Sequence, residues 1–254
     1  MTISTRVIPC LDVKDGRVVK GIQFKGLNDI GDPVQLAKFY YEAGADEITF
    51  LDVSASIEGR QAMLDVITKT AETIFIPLTV GGGITKLEDV ASYLKAGADK
   101  VSIGSAAISN PSLIDEVASK YGDQILVISL DIIEDSSCAS GYALTTHGGS
   151  KLTGIDAIEW IGANQGRGIG ELLVNSVDAD GTKAGFNTDL IAAIRKVTLL
   201  PIIASGGAGT VEDFSPAVNA GANAVLAASI FHSGAVSIQD VKSSMAKHGL
   251  KVRL

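Results

Sequence analysis

Two aspartates stand where apolar runs end: Asp12 after Leu11 and Asp131 after Leu130, in the near-copies Cys-Leu-Asp-Val and Ser-Leu-Asp-Ile, 119 residues apart. Two carboxyl groups converging on one ligand can divide acid and base work, one giving a proton while the other takes one. A lone aspartate at a strand end more often caps the next turn through its backbone amides. A second repetition shifts the balance. Residues 76–107 and 200–231 align without a gap, 124 residues apart, with ten identities over 32 positions, among them Pro77/Pro201, Gly82/Gly206, Gly83/Gly207, Asp89/Asp213, Gly97/Gly221 and Ser105/Ser229. Each copy reads strand, glycine turn, helix, strand, and a small-residue turn ending in serine. A glycine turn after a buried strand offers N–H groups to an anion, and a following helix adds its dipole. Two copies predict two anion sites, hence a ligand with a phosphate at each end. Two related aspartates above two such cradles read as catalytic.

Other residues fall at the same strand ends. Asp52 ends the second apolar run, and Asp178 and Asp180 follow the sixth. Asp180-Gly181-Thr182 could add an amide to the second phosphate site or be an ordinary Asp-Gly turn. Ser205 ends the seventh run and could bond substrate or merely its own turn. Lys20, in the loop after Asp12, could close over a phosphate or be a solvated surface lysine. At the opposite end, Arg6, Glu47, Lys100 and Glu171 stand at the starts of runs one, two, four and six. Charges alternating there read first as a salt-bridge floor, with a gated passage as the sharper alternative.

These residues need a scaffold that gathers strand ends. Short Val/Ile/Leu-rich runs occupy 7–11, 48–53, 74–80, 101–103, 125–130, 172–174, 199–204 and 224–228. Near-continuous apolar runs without alternation mark parallel strands buried on both faces. Helical stretches lie between them. Asp32 and Pro33 start one helix and Gly44 follows its end; Thr85 with Glu88 forms a capping box before another. Glycines 162, 166, 168 and 170 predict a short or frayed fifth helix. The longest irregular stretches are expected at 15–31 and 134–154. Eight strands alternating with about eight helices predict one α/β domain over residues 1–254, a single (β/α)8 TIM barrel with two-fold half-barrel pseudo-symmetry. Strands one and five would then face each other across the mouth. A doubly wound open sheet fits the half-chain repeat less well.

Composition narrows the function. With 254 residues, 46% hydrophobic and 20% charged, the chain has the make-up of a globular enzyme. A net charge of −8 argues against nucleic acid or an anionic membrane as partner. No apolar run reaches the length of a membrane span, and the N-terminus does not read as a signal peptide. Cys10 and Cys138 make neither a disulfide framework nor a zinc site, which suggests a reducing, cytoplasmic setting. His147, His232 and His248 are not spaced as metal ligands; His232, beside Phe231, reads as a packing residue. No metal and no cofactor is expected.

The stretches Arg6-Val-Ile-Pro-Cys-Leu-Asp-Val-Lys-Asp-Gly-Arg-Val-Val-Lys-Gly, Gly44-Ala-Asp-Glu-Ile-Thr-Phe-Leu-Asp, Thr79-Val-Gly-Gly-Gly-Ile, Ser176-Val-Asp-Ala-Asp-Gly-Thr and Ala227-Ala-Ser-Ile-Phe-His resemble the cyclase subunit of imidazole glycerol phosphate synthase, across essentially the whole chain. The resemblance implies a histidine-biosynthesis enzyme. It would use ammonia from a separate glutaminase subunit to convert a bis-phosphorylated ribulosyl aminoimidazole carboxamide compound into imidazole glycerol phosphate and an aminoimidazole carboxamide ribotide. It implies Asp12 and Asp131 as the acid/base pair and Lys20 acting from the first loop. Gly83 and Ser105 would hold one phosphate; Asp180, Gly181, Gly207, Ala228 and Ser229 would hold the other. Arg6, Glu47, Lys100 and Glu171 would form an ammonia gate on the N-terminal face, where the glutaminase docks. Two departures stand out. Gly104 precedes Ser105 where the family usually carries asparagine, predicting weakened turnover or affinity, and Ile132-Ile133 follow Asp131. The alternatives are a bis-phosphate aldose–ketose isomerase, an ammonia-using relative acting on a sugar, or a scaffold without turnover.

Overall fold

The computed structural model describes residues 4–22, 25–53 and 57–254. By internal contacts it forms two compact units, Met1–Ser102 with Leu226–Leu254, and Ile103–Val225. The first unit begins with β1 (Arg6–Lys14), β2 (Arg17–Ile22), β3 (Lys25–Gly31) and α1 (Pro33–Glu42), followed by β4 (Ile48–Asp52), α2 (Ile57–Ala71), β5 (Leu78–Gly81), α3 (Leu87–Ala96) and β6 (Lys100–Ile103). The second holds α4 (Ser105–Ser109), α5 (Ser112–Tyr121), β7 (Leu126–Glu134), β8 (Tyr142–Thr146), β9 (Lys151–Asp156), α6 (Ala157–Asn164), β10 (Glu171–Ser176), α7 (Thr188–Arg195), β11 (Ile202–Ser205), α8 (Phe214–Asn219) and the first half of β12 (Ala224–Ala227). The chain then returns to the first unit through α9 (Ser229–His232) and α10 (Ile238–Lys247). The strand order β10-β11-β12-β1-β4-β5-β6-β7, with β10 also paired to β7, closes eight parallel strands into the expected (β/α)8 barrel.

The apolar runs fill the strands as their lack of alternation predicts. Val7, Ile8 and Leu11 of β1, and Leu126, Ile128 and Leu130 of β7, are each 0% exposed. Burying an aliphatic side chain to that degree is worth about 1.5–3 kcal/mol. Asp32 accepts from the Gln35 amide at 2.9 Å and Pro33 opens α1, as the sequence indicates. The glycine-rich fifth helix is short: α6 stops at Asn164, before Gly166.

Three expectations are corrected. The stretch 15–31 is mostly strand, although residues 23 and 24 lie outside the described residues, and 134–154 holds strand at 142–146 and from 151 on. β2 and β3 fold antiparallel onto β1, and β8 and β9 onto β7. Asp15 and Gly16, at φ 49° and 77°, link Lys14 to Arg17 as the two-residue turn that Asp-Gly favours in a hairpin. The runs at 74–80 and 199–204 become strand only at Leu78 and Ile202, because Pro77 and Pro201 have no N–H for the ladder. Ahead of those prolines, Phe75 and Leu199 are 82% and 93% exposed. Finally, Asp89 rather than Glu88 closes the start of α3, accepting from Thr85 N at 2.9 Å, Thr85 Oγ1 at 3.1 Å and Lys86 N at 3.2 Å. Its repeat partner Asp213 does the same for Gly209 N and Thr210 N, at 2.8 and 2.7 Å.

Candidate active site

In the first unit, Asp12 lies near the C-terminal end of β1 and is 7% exposed. Strand pairing sets it opposite Val19, and the next residue, Lys20, brings its Nζ to 3.6 Å from Asp12 Oδ2. Lys20 therefore sits on a strand, with its charge at the carboxylate. Asp52 ends β4, paired in register with Val13. Its main chain meets the first glycine turn at Gly82, where φ is 95° and a Cβ would come within 2.1 Å of Asp52 O. The second copy repeats this: Gly206 has φ 89°, and a Cβ would lie 2.7 Å from Ser176 O, the residue 124 positions after Asp52. No side chain fits such an approach. Gly83 and Gly207 follow in the same left-handed region.

In the second unit, Asp131, Asn175 and Ser205 lie in register on neighbouring parallel strands, β7, β10 and β11. Paired residues of adjacent strands project side chains to the same face. Asn175 Nδ2 accordingly donates to Asp131 Oδ1 at 2.9 Å, while Thr145 Oγ1 of β8 donates to the Asp131 main-chain oxygen at 2.8 Å. Burial pushes the Asp131 carboxyl above the ordinary aspartate range; the Asn175 amide opposes this, and the charge of Asp180 adds to it. A carboxyl so placed holds a proton more readily than a solvated one. Asp180 and Gly181 form the turn after β10, where Asp180 N donates to Ser176 O at 3.0 Å. Asn175 escaped the sequence reading because it looks like one more polar residue ending an apolar run. Only the register with Asp131 exposes its role.

The two small-residue turns have similar backbones, with φ −106° and ψ −107° at Gly104 and φ −119° and ψ −77° at Ala228. Each precedes a serine that opens a short helix, Ser105 of α4 and Ser229 of α9. A Cβ on Gly104 would meet nothing closer than Ser129 O at 3.5 Å, so packing does not require glycine there. Ser105 Oγ accepts from the His147 amide at 3.0 Å, a bond from the β8–β9 turn.

At the strand starts, Glu47 is fully buried and collects three donors: Arg6 Nη1 at 2.7 Å and Lys100 Nζ at 3.0 Å on Oε2, and Thr79 Oγ1 at 2.6 Å on Oε1. Arg6, Glu47 and Lys100 thus come together as anticipated, with Thr79 as an unanticipated member. Glu171 opens β10 in the other unit. His232 is a satisfied packing residue, bonded to Tyr40 OH at 2.6 Å and Cys10 O at 3.0 Å. No grouping of His, Cys, Asp and Glu among the described residues could hold a metal, and no helix among them is long and apolar enough to cross a membrane.

A duplicated barrel with carboxylates and glycine turns at its strand ends is the architecture of a histidine-biosynthesis barrel, and the family model described as histidine biosynthesis protein matches residues 6–237. Among curated proteins, the chain is 58% identical over 247 residues to the imidazole glycerol phosphate synthase subunit HisF of Corynebacterium urealyticum, covering 97% of this chain and 98% of the relative. It is 56% identical over 256 residues to that of Thermobifida fusca and 57% over 256 residues to that of Bifidobacterium longum, covering all of each pair. The chain belongs to the family of imidazole glycerol phosphate synthase subunit HisF.

Proposed function

We propose that this chain is the ammonia-using cyclase subunit of imidazole glycerol phosphate synthase. Ammonia adds to a bis-phosphorylated ribulosyl aminoimidazole carboxamide compound, and cleavage with ring closure gives imidazole glycerol phosphate and an aminoimidazole carboxamide ribotide. The observation that carries this reading is identity above half the residues with three HisF subunits along essentially the entire chain.

The local geometry supports a division of roles. Asp131, whose burial favours the protonated carboxyl, gives a proton; Asp12, an anion beside the Lys20 ammonium, takes one. The Gly83 turn with Gly104 and Ser105 receives one phosphate. Gly207, Ala228 and Ser229, with Asp180 and Gly181, receive the other. Asp52 and Ser205 border the two ends. Arg6, Glu47, Lys100 and Glu171 form the ammonia gate, and a glutaminase subunit docks on the N-terminal face, so that ammonia reaches the substrate before water protonates it. The setting is the cytoplasm.

Purified protein given the bis-phosphate and an ammonium salt at alkaline pH tests this. Both products are expected without any partner; an isomerised bis-phosphate, or binding without product, would overturn the reading.

A further inference from the structure

The clamp around His232 belongs to none of these roles. His232 is the last residue of α9, the short helix opened by Ser229, and its imidazole reaches two other elements of the same unit. The Cys10 carbonyl can only accept, so the ring nitrogen 3.0 Å away, Nε2, carries the hydrogen and donates. Nδ1 is then the acceptor and takes the Tyr40 hydroxyl of α1 at 2.6 Å. Tyr40 is 2% exposed and Cys10 3%, so neither the phenol nor the carbonyl can turn to bulk water if the imidazole is lost. Burial chiefly, and the nearby Lys20 charge second, push the imidazole down to about 4, against the pull of the Cys10 carbonyl. It stays neutral throughout the physiological range and is unsuited to proton transfer there. Cys10 lies two residues before Asp12, so their side chains share one face of β1.

We propose that His232 is a positioning residue, a neutral strut that fixes the strand end bearing Asp12 relative to the Ser229 turn and α1. This rests on the assignment of Asp12 to the chemistry and of Ser229 to a phosphate. The strut holds the carboxylate where the phosphate-anchored substrate presents its reacting atoms. A displacement on the ångström scale at that point costs on the order of 100-fold in rate.

The experiment compares the ammonia-dependent reaction of wild type, His232→Leu, His232→Gln and Tyr40→Phe, with melting curves of each. His232→Leu is expected to lower kcat about 10- to 100-fold while KM for the bis-phosphate moves by less than about threefold. His232→Gln, whose amide can still donate to Cys10 O, recovers most of that loss. Tyr40→Phe, which leaves the imidazole without its outer anchor, loses severalfold in kcat and carries the test if the leucine variant does not fold. Wild-type kcat in folded His232→Leu, or equal losses in the leucine and glutamine variants, would overturn the strut. Nitrogen NMR of the wild-type ring is a readout independent of turnover. It should give the Nε2–H tautomer unchanged across about pH 5.5–8, and a ring titrating in that range overturns the proposal. Wild type without cyclisation but with a fixed Nε2–H ring would refute the cyclase reading and leave the strut standing.

Discussion

Replacing Asn175 with leucine removes the one side-chain hydrogen bond that, among the described residues, opposes the burial of Asp131. A hydrogen bond to an ionised group contributes about 1.5–3 kcal/mol. The Asp131 side chain is partly open to solvent, so the lower end of that range applies. The loss falls on the ionised form alone, so the carboxyl moves further above its ordinary value. The sign for stability follows. A carboxyl raised in the folded state contributes fully below the unfolded aspartate value of about 3.9, and that contribution is lost as the pH climbs through the raised value. Asn175→Leu deepens this loss, so the variant should lose more melting temperature at neutral pH than in acid. In kcat/KM measured against pH and referred to free ammonia, the limb belonging to Asp131 moves to higher pH whichever way its proton travels. A limb that stays in place or moves to lower pH would refute the assignment of Asn175, and no limb at all that answers to Asp131 would refute its proton-transfer role.

Four further outcomes are expected. Asp12→Asn and Asp131→Asn should each abolish turnover while leaving bis-phosphate affinity within a few-fold, read by product formation and calorimetry; activity in either breaks the pairing. Lys100→Ala removes one of two cations on a fully buried carboxylate and should change the ratio of glutamine-driven to ammonia-driven turnover in the assembled enzyme. An unchanged ratio argues for a mere floor. Gly82→Ala would place a Cβ 2.1 Å from Asp52 O at a left-handed φ, costing about 3 kcal/mol or more in denaturant unfolding. Gly104→Ala meets only ordinary contacts and should change stability by less than about 1 kcal/mol.

The barrel was legible because buried parallel strands write long apolar runs, and the half-repeat was legible because the same tight contacts recur. Gly82 on Asp52 O and Gly206 on Ser176 O are the same contact 124 residues apart. Asp12, Asp131 and the two glycine turns could be named from sequence because each sits at a run's end. The two hairpins leave no such mark in the sequence. Their strands carry polar and glycine residues without a clean alternation, as in Lys25-Gly-Leu-Asn-Asp-Ile-Gly and Lys151-Leu-Thr-Gly-Ile-Asp, although Asp15-Gly16 is a hairpin turn in plain sight. Asn175, Thr79 and Tyr40 act only through register or through packing between elements distant in sequence, and neither leaves a local pattern. The Thr85 cap went to the wrong carboxylate because Glu88 and Asp89 both stand within reach of the helix start, and spacing alone cannot choose between them.

The bond from the His147 amide to Ser105 has an effect beyond tethering a turn. His147 holds a left-handed backbone at φ 55°, which aims its N–H at the serine oxygen. With an amide already on its lone pair, the hydroxyl has its rotation restricted and its hydrogen made more acidic, so what it offers outward is a proton. An oxygen-rich guest bound at that turn would meet a donor oriented before it arrives, and one that lacks such an oxygen would leave that donor unanswered.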